Sequence, residues 1–239
     1  MESIFLGNSG IASSRVGLGT WAMGGWMWGG ADEAQAIATI RAALDHEITL
    51  IDTAPVYGFG KSEEIVGKAL DTSGLRSRAV IATKTGIGWH DGSPYRDSRP
   101  ARLRRELEDS LRRLRTDYID LYQIHWPDPL VPIEEVAAEL ARMHHEGKIR
   151  AIGVSNFSPE QMETFRAIAP LDTVQPPYNL FERGIDADVL PYASRSDLTV
   201  LAYGALCRGL LSGSITRDTK FSGDDLRRTD PKFRSESVV

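Results

Sequence analysis

The sequence predicts an α/β protein of the (β/α)8 barrel class, TIM-type and incomplete, on three observations. Short apolar runs alternate with amphipathic segments along nearly the whole chain, the pattern of a parallel sheet with helical crossovers. Several runs are apolar on both faces, as strands covered by helices are. The runs also end on polar residues (Asp52, Lys84, His125), which suits a barrel whose site draws on many strand ends. The competing arrangement, an open doubly wound sheet binding a dinucleotide, should open with G-x-G-x-x-G. Here "GLG", "GFG" and "GIG" each stop short of the third glycine.

The predicted strands are Arg15–Leu18, Thr49–Thr53, Ala79–Lys84, Tyr118–His125, Ala151–Ser155, Thr173–Asn179 and Thr199–Gly204. Between them, Asp32–His46 carries Ile37, Ile40 and Leu44 on one side. A helix opens at Lys61 to Glu64 and runs through Ile65 to Leu70. Arg99–Arg115 carries Leu103, Leu107, Leu111 and Leu114 at helical spacing with charges opposite. Ile133–Glu146 has its own apolar stripe, and Gly147 is placed to end it. In "SNFSPEQM", Ser158, Pro159 and Gln161 spell an N-cap, a first helical position and a capping box. One domain over 1–239 is expected, closing on a polar loop over 212–239.

A formal net charge of -5 argues against an electrostatic grip on nucleic acid or anionic lipid. The arginines from Arg102 to Arg115 alternate with acids and read as a solvated helix face. One cysteine, Cys207, excludes an internal disulfide and points to a reducing compartment. No run approaches a membrane span, and the N-terminus does not read as a secretory signal. A cytoplasmic globular protein is the expectation, with no membrane or nucleic-acid partner and with room for a homo-oligomer. The five histidines show no metal-ligand spacing, so no metal is expected.

The stretch "TLIDTAPVYGFGKSEE" poses the functional question. "GFGKS" is not a phosphate loop, because the first glycine that loop needs is replaced by Pro55. Attention falls instead on Asp52 and Tyr57. Asp52, Lys84 and His125 close three adjacent strands, and in a barrel those ends share one mouth. The chemistry that fits is proton delivery to a carbonyl as hydride arrives. Lys84 should lower the Tyr57 pKa from its ordinary value near 10, Asp52 should hold Lys84 charged, and His125 should orient the substrate oxygen.

With the words "IDTAPVYG", "IATK", "DLYQIHWPD", "GKIRAIGVSNF" and "VQPPYNLFER", the chain resembles the aldo-keto reductases, in particular bacterial general-stress and sugar-type members near the potassium-channel β-subunits. The likeness runs from an N-terminal hairpin (4–18) to "AYGALCRGLLSG". It implies a (β/α)8 barrel and an NADPH-dependent oxidoreductase that reduces aldehydes or ketones to alcohols with Tyr57 as general acid. It further implies that Gly19, Thr20, Trp21 and Asp52 line the nicotinamide end. Ser155, Asn156 and Gln175 match residues that bind the carboxamide, and Tyr203 matches the ring that stacks on nicotinamide. Gly204, Ala205, Leu206, Cys207, Arg208 and Gly209 match the loop that follows the pyrophosphate. Trp28, Trp89 and Trp126 follow three neighbouring strands and are expected, with Tyr57 and His125, to face a weakly polar carbonyl substrate.

The likeness is incomplete at one end. Seven strands can be placed, and the family's last helix, eighth strand and final helix have no counterpart before Val239. The expectation is therefore a fragment of a longer reductase, or a chain whose missing portion another chain supplies. A cofactor-binding redox sensor and an inactive truncated chain are the alternatives.

Overall fold

A computed structural model describes residues 1–72 and 74–234. β1 (Ser3–Phe5) and β2 (Ala12–Ser14) form an antiparallel hairpin, followed by β3 (Gly17–Gly19). Next come α1 (Glu33–Asp45), β4 (Leu50–Asp52), α2 (Lys61–Leu70), α3 (Leu75–Arg78) and β5 (Val80–Thr85). A second hairpin, β6 (Ile87–His90) and β7 (Ser93–Arg96), precedes α4 (Pro100–Leu114) and β8 (Ile119–Ile124). The chain continues through α5 (Ile133–His145), β9 (Ile149–Ser155), α6 (Pro159–Arg166), β10 (Thr173–Gln175), α7 (Val189–Arg195) and β11 (Thr199–Val200). Thereafter only 3-10 turns occur in the described residues, at Cys207–Ser212, Leu226–Arg228 and Pro231–Phe233. Residues 235–239 of the expected polar loop lie outside the described residues.

The seven expected strands form one sheet in the order β11-β10-β9-β8-β5-β4-β3, every pairing parallel. Several are shorter than the apolar runs suggest. β10 stops at Gln175 because Pro176 and Pro177 have no N–H to add to the ladder. The sheet curls. In a flat sheet β10 and β4, four strand spacings apart, would be separated by about 19 Å. Instead the Gln175 side chain donates to the Asp52 carboxylate at 2.8 Å.

Curling makes two cores. Outward residues such as Ile51, Ile81, Tyr122, Ile152 and Val174 meet the helices. Inward residues Leu50, Val80, Ala82, Leu121 and Ala151 fill the barrel floor together with Leu6 of the first hairpin, which is fully buried. That hairpin closes the bottom of the barrel. Gly7 N–H donates to Thr199 Oγ1 (2.8 Å) and Ser14 N–H to Thr49 Oγ1 (2.9 Å), tying it to both sides of the sheet. The opposite end, where the strands terminate, is left open to the loops. α6 starts on the expected capping box, Ser158 and Gln161 bonding each other's backbone, which fixes the helix directly after β9.

Candidate active site

Asp52 is the last residue of β4, Lys84 lies near the end of β5, and His125 follows β8. The ladder reaches His125, whose N–H donates to the Thr85 carbonyl at 2.9 Å. Tyr57 comes from the turn between β4 and α2. Gly24 and Gly58 allow that turn to seat: a Cβ on Gly24 would lie 2.7 Å from the Tyr57 carbonyl, and one on Gly58, at φ +63°, 2.2 Å from the Gly24 oxygen. Gly58 of "YGFG" thus serves close approach of two loops, as expected of a turn and not of a phosphate loop.

The four side chains meet. The buried Lys84 ammonium donates to Asp52 Oδ2 (2.7 Å), the Thr53 carbonyl (3.0 Å) and the Tyr57 hydroxyl (3.4 Å), so each of its protons has a partner. Asp52 Oδ1 accepts from Gln175. The Tyr57 ring stands edge-on to His125 with centroids 5.8 Å apart and stacks against Trp21 at 5.9 Å. Burial works against the Lys84 charge, but the Asp52 carboxylate and Tyr57 outweigh it, and its pKa rises. Burial pushes the Tyr57 phenol upward too; the pull of Lys84 is smaller, and Asp52 adds to the rise. Lys84 does pull the phenol down as expected, but burial outweighs it and the net shift is upward. The phenol is a neutral, proton-bearing group at neutral pH. Burial first, and the Lys84 charge second, hold His125 well below its ordinary range, so its imidazole is neutral.

Tyr57 and His125 open into a pocket of ≈ 370 Å³, with Lys84 and Asp52 behind them. Of the sequence-predicted residues, Trp21, Tyr57, His125, Trp126, Ser155, Asn156, Gln175, Tyr203 and Arg208 line it. On the β9–β10 side, Ser155 Oγ donates to the Gln175 carbonyl (2.7 Å). The Asn156 amide donates to Ser155 Oγ (2.9 Å) and the His125 carbonyl (3.0 Å). Asn156 holds φ +62°, and its oxygen accepts from the half-exposed Tyr203 hydroxyl at 3.0 Å. Arg208 is ion-paired with Asp230 of the C-terminal segment.

Other predicted residues stand elsewhere. Trp28 lies behind the wall, edge-on to Trp21 (5.4 Å) and under the Arg227 guanidinium (5.0 Å). Trp89 is turned to the outer side of the second hairpin, where it meets Phe59 at 5.7 Å and a hollow beside Arg102 and Arg113. Trp28 and Trp89 are therefore not pocket walls, because the loops carrying them pack their rings on other aromatic rings. Gly19 is the register partner of Asp52 and does not line the pocket. Thr20 is buried one layer behind, its hydroxyl donating to the Asp52 carbonyl (3.0 Å). In the 204–209 loop, Gly204, Cys207, Arg208 and Gly209 all have left-handed φ; Cys207 is buried and Leu206 exposed. Ala205 and the other loop residues apart from Arg208 stay off the pocket wall.

Sequence reasoning missed Trp26, Met27 and Val56 on one side of the pocket, and Ile87 and Pro94 of the second hairpin on another. Asp91-Gly92, with φ of +46° and +73°, was the available signal for that hairpin.

A profile described as the aldo/keto reductase family matches residues 15–236. Over 234 residues the chain is 61% identical to aldo-keto reductase YhdN of Bacillus subtilis (strain 168), covering 98% of this chain and 71% of that protein. It is 41% identical to the NADH-specific methylglyoxal reductase of Escherichia coli (strain K12), covering 91% of this chain and 71% of that protein. Among solved structures, the glycerol dehydrogenase AKR11B4 from Gluconobacter oxydans superposes with a TM-score of 0.89 at 59% identity, covering 98% of this chain and 73% of that one. An aldo/keto reductase from Klebsiella pneumoniae, solved with NADP and acetate, gives 0.74 at 37% identity, covering 89% and 72%.

Proposed function

The chain belongs to the aldo/keto reductase family, and we propose that its pocket reduces uncharged aldehydes and ketones to alcohols with NADPH as reductant. One observation carries the reading: a phenol, an ammonium, a carboxylate and an imidazole from four separate segments converge at one aromatic-walled pocket.

The residues present fit a nicotinamide dinucleotide. Ser155, Asn156 and Gln175 offer hydroxyl and amide groups suited to an uncharged carboxamide, and the half-open Tyr203 ring suits a planar partner. Trp21 would wall that side, with Gly19, Thr20 and Asp52 at the strand ends behind it. Gly204 to Gly209 would follow the pyrophosphate, the left-handed backbone and Arg208 suiting an anion. NADPH, when bound, supplies the hydride that reduces the carbonyl carbon.

The protein's own part is proton management. Tyr57, kept protonated by its surroundings, gives its proton to the carbonyl oxygen. Lys84, held charged by Asp52, stabilises the phenolate left behind. The neutral His125 imidazole donates a hydrogen bond to the same oxygen and orients it toward Tyr57. Trp21 and Trp126 provide apolar walls that favour an uncharged substrate.

Tyr57→Phe should lose roughly 10²–10⁴-fold of NADPH-dependent aldehyde reduction while still binding cofactor, read by tryptophan fluorescence. Unchanged turnover would end the proposal. NADH run in parallel tests the cofactor choice. Tight binding without turnover of any carbonyl compound by the unsubstituted chain would favour a redox sensor.

A further inference from the structure

Ser62, the serine of "GFGKS", has no part in the proton transfer described above. It stands in the first turn of α2, and its side chain is fully buried together with those of Thr20 and Thr53. Its hydroxyl donates to the Thr20 carbonyl at 3.0 Å. The same oxygen lies 2.7 Å from the Thr20 hydroxyl and 3.0 Å from the Thr53 hydroxyl. Its N–H donates to the Tyr57 carbonyl at 3.1 Å. One serine thus ties together the end of β3, the end of β4 and the turn that carries Tyr57.

Each of those segments holds part of the surroundings of the phenol. Thr20 precedes Trp21, whose ring stacks on Tyr57. The Thr53 carbonyl accepts from the Lys84 ammonium, beside Asp52 and the Tyr57 hydroxyl. The cluster is not a proton path. The Ser62 proton goes to a main-chain carbonyl, and the Thr20 and Thr53 hydroxyls turn to Ser62 or to the Asp52 carbonyl. The Tyr57 hydroxyl bonds only Lys84 among the described residues. A buried set of hydroxyls that satisfy one another is rigid, which suits it to hold other groups in place.

We propose that Ser62 is a positioning residue for the reduction, setting the separation of the Tyr57 hydroxyl and the Lys84 ammonium by locking Thr20, Thr53 and the Tyr57 turn together. This rests on the carbonyl-reductase reading of the site. The Tyr57 contact, at 3.4 Å, is the longest that the ammonium makes, so a small shift of the turn breaks it before the others. Losing it weakens the stabilisation of the phenolate that forms as the proton leaves. The cost falls on kcat and not on cofactor binding.

Kinetics and crystal structures of variants of the 239-residue chain test this. Ser62→Ala should lower kcat for NADPH-dependent aldehyde reduction by about 10–100-fold, with the cofactor Kd from tryptophan fluorescence unchanged. Thr53→Val keeps the shape but removes the hydroxyl, and should lower kcat in the same way. Thr53→Ser keeps the hydroxyl but loses a methyl, and should keep kcat while lowering Tm. Leu6→Ala, remote from the site, should likewise lower Tm and leave the kcat of the folded protein alone. In crystals of Ser62→Ala, or of Thr53→Val if the first does not fold, the Tyr57–Lys84 contact should open beyond hydrogen-bond reach. A kcat that follows Tm across these variants would overturn the proposal, as would an unmoved Tyr57–Lys84 pair. Absence of turnover in the unsubstituted chain would count against the reductase reading alone, and the Tyr57–Lys84 spacing would still decide the role of Ser62.

Discussion

His125 carries a measurable consequence of its surroundings. Burial and the neighbouring Lys84 hold its folded-state pKa well below the ordinary 6.5. Its contribution to stability is therefore complete above pH 6.5 and is lost as pH falls from there toward the folded value, because the unfolded chain binds the proton first. At pH 5 this group alone should cost at most about 2 kcal/mol. Thermal unfolding at pH 7.5 and pH 5 should show the loss, and His125→Asn should remove part of it; an unchanged acid response would contradict the assignment. At this scale the sequence is highly informative. Asp52, Lys84 and His125 can be picked out because each closes an apolar run. The direction of the Tyr57 shift cannot, because it is the balance between burial and the field of Lys84, and burial is a property of the assembled mouth.

Between elements, the packing of α2 on α4 turns on Gly67. A Cβ there would stand 2.3 Å from the Arg113 carbonyl oxygen and 3.0 Å from the Leu114 carbonyl carbon, both backbone atoms with little freedom to move. Alanine is the better helix former by about 1 kcal/mol, yet Gly67→Ala should destabilise the protein by roughly 1–3 kcal/mol, because the helices must separate. Chemical denaturation reads the difference, and a stabilised variant would refute the close contact. The helices themselves are legible. Leu103, Leu107 and Leu114 of α4 are fully or almost fully buried, as their spacing predicts. The second hairpin is not, because only one residue pair, Asp91-Gly92, announces it between segments that carry no alternating pattern.

For the molecule as a whole, the critical plug is Leu6. It comes from a hairpin outside the parallel sheet but is fully buried among Leu50, Val80, Leu121 and Ala151 of four different strands. Leu6→Ala should cost about 2–5 kcal/mol, with the denaturation midpoint falling and the slope unchanged. A loss below 1 kcal/mol would mean that the floor closes without it. The curl that this plug fills also makes the site, since it brings Gln175 onto Asp52 from a strand 123 residues away in sequence.

By itself the sequence determined the alternation of strands and helices, the parallel sheet, and the identity of the residues at the strand ends. These follow from local periodicity, which sets which side chains a strand or helix turns inward. Only the tertiary structure decided that Trp26, Met27 and Pro94 line the pocket while Trp28 and Trp89 do not. Those outcomes depend on how the sheet curls and how loops settle on one another. Such contacts join residues far apart in the chain, and no local spacing encodes them.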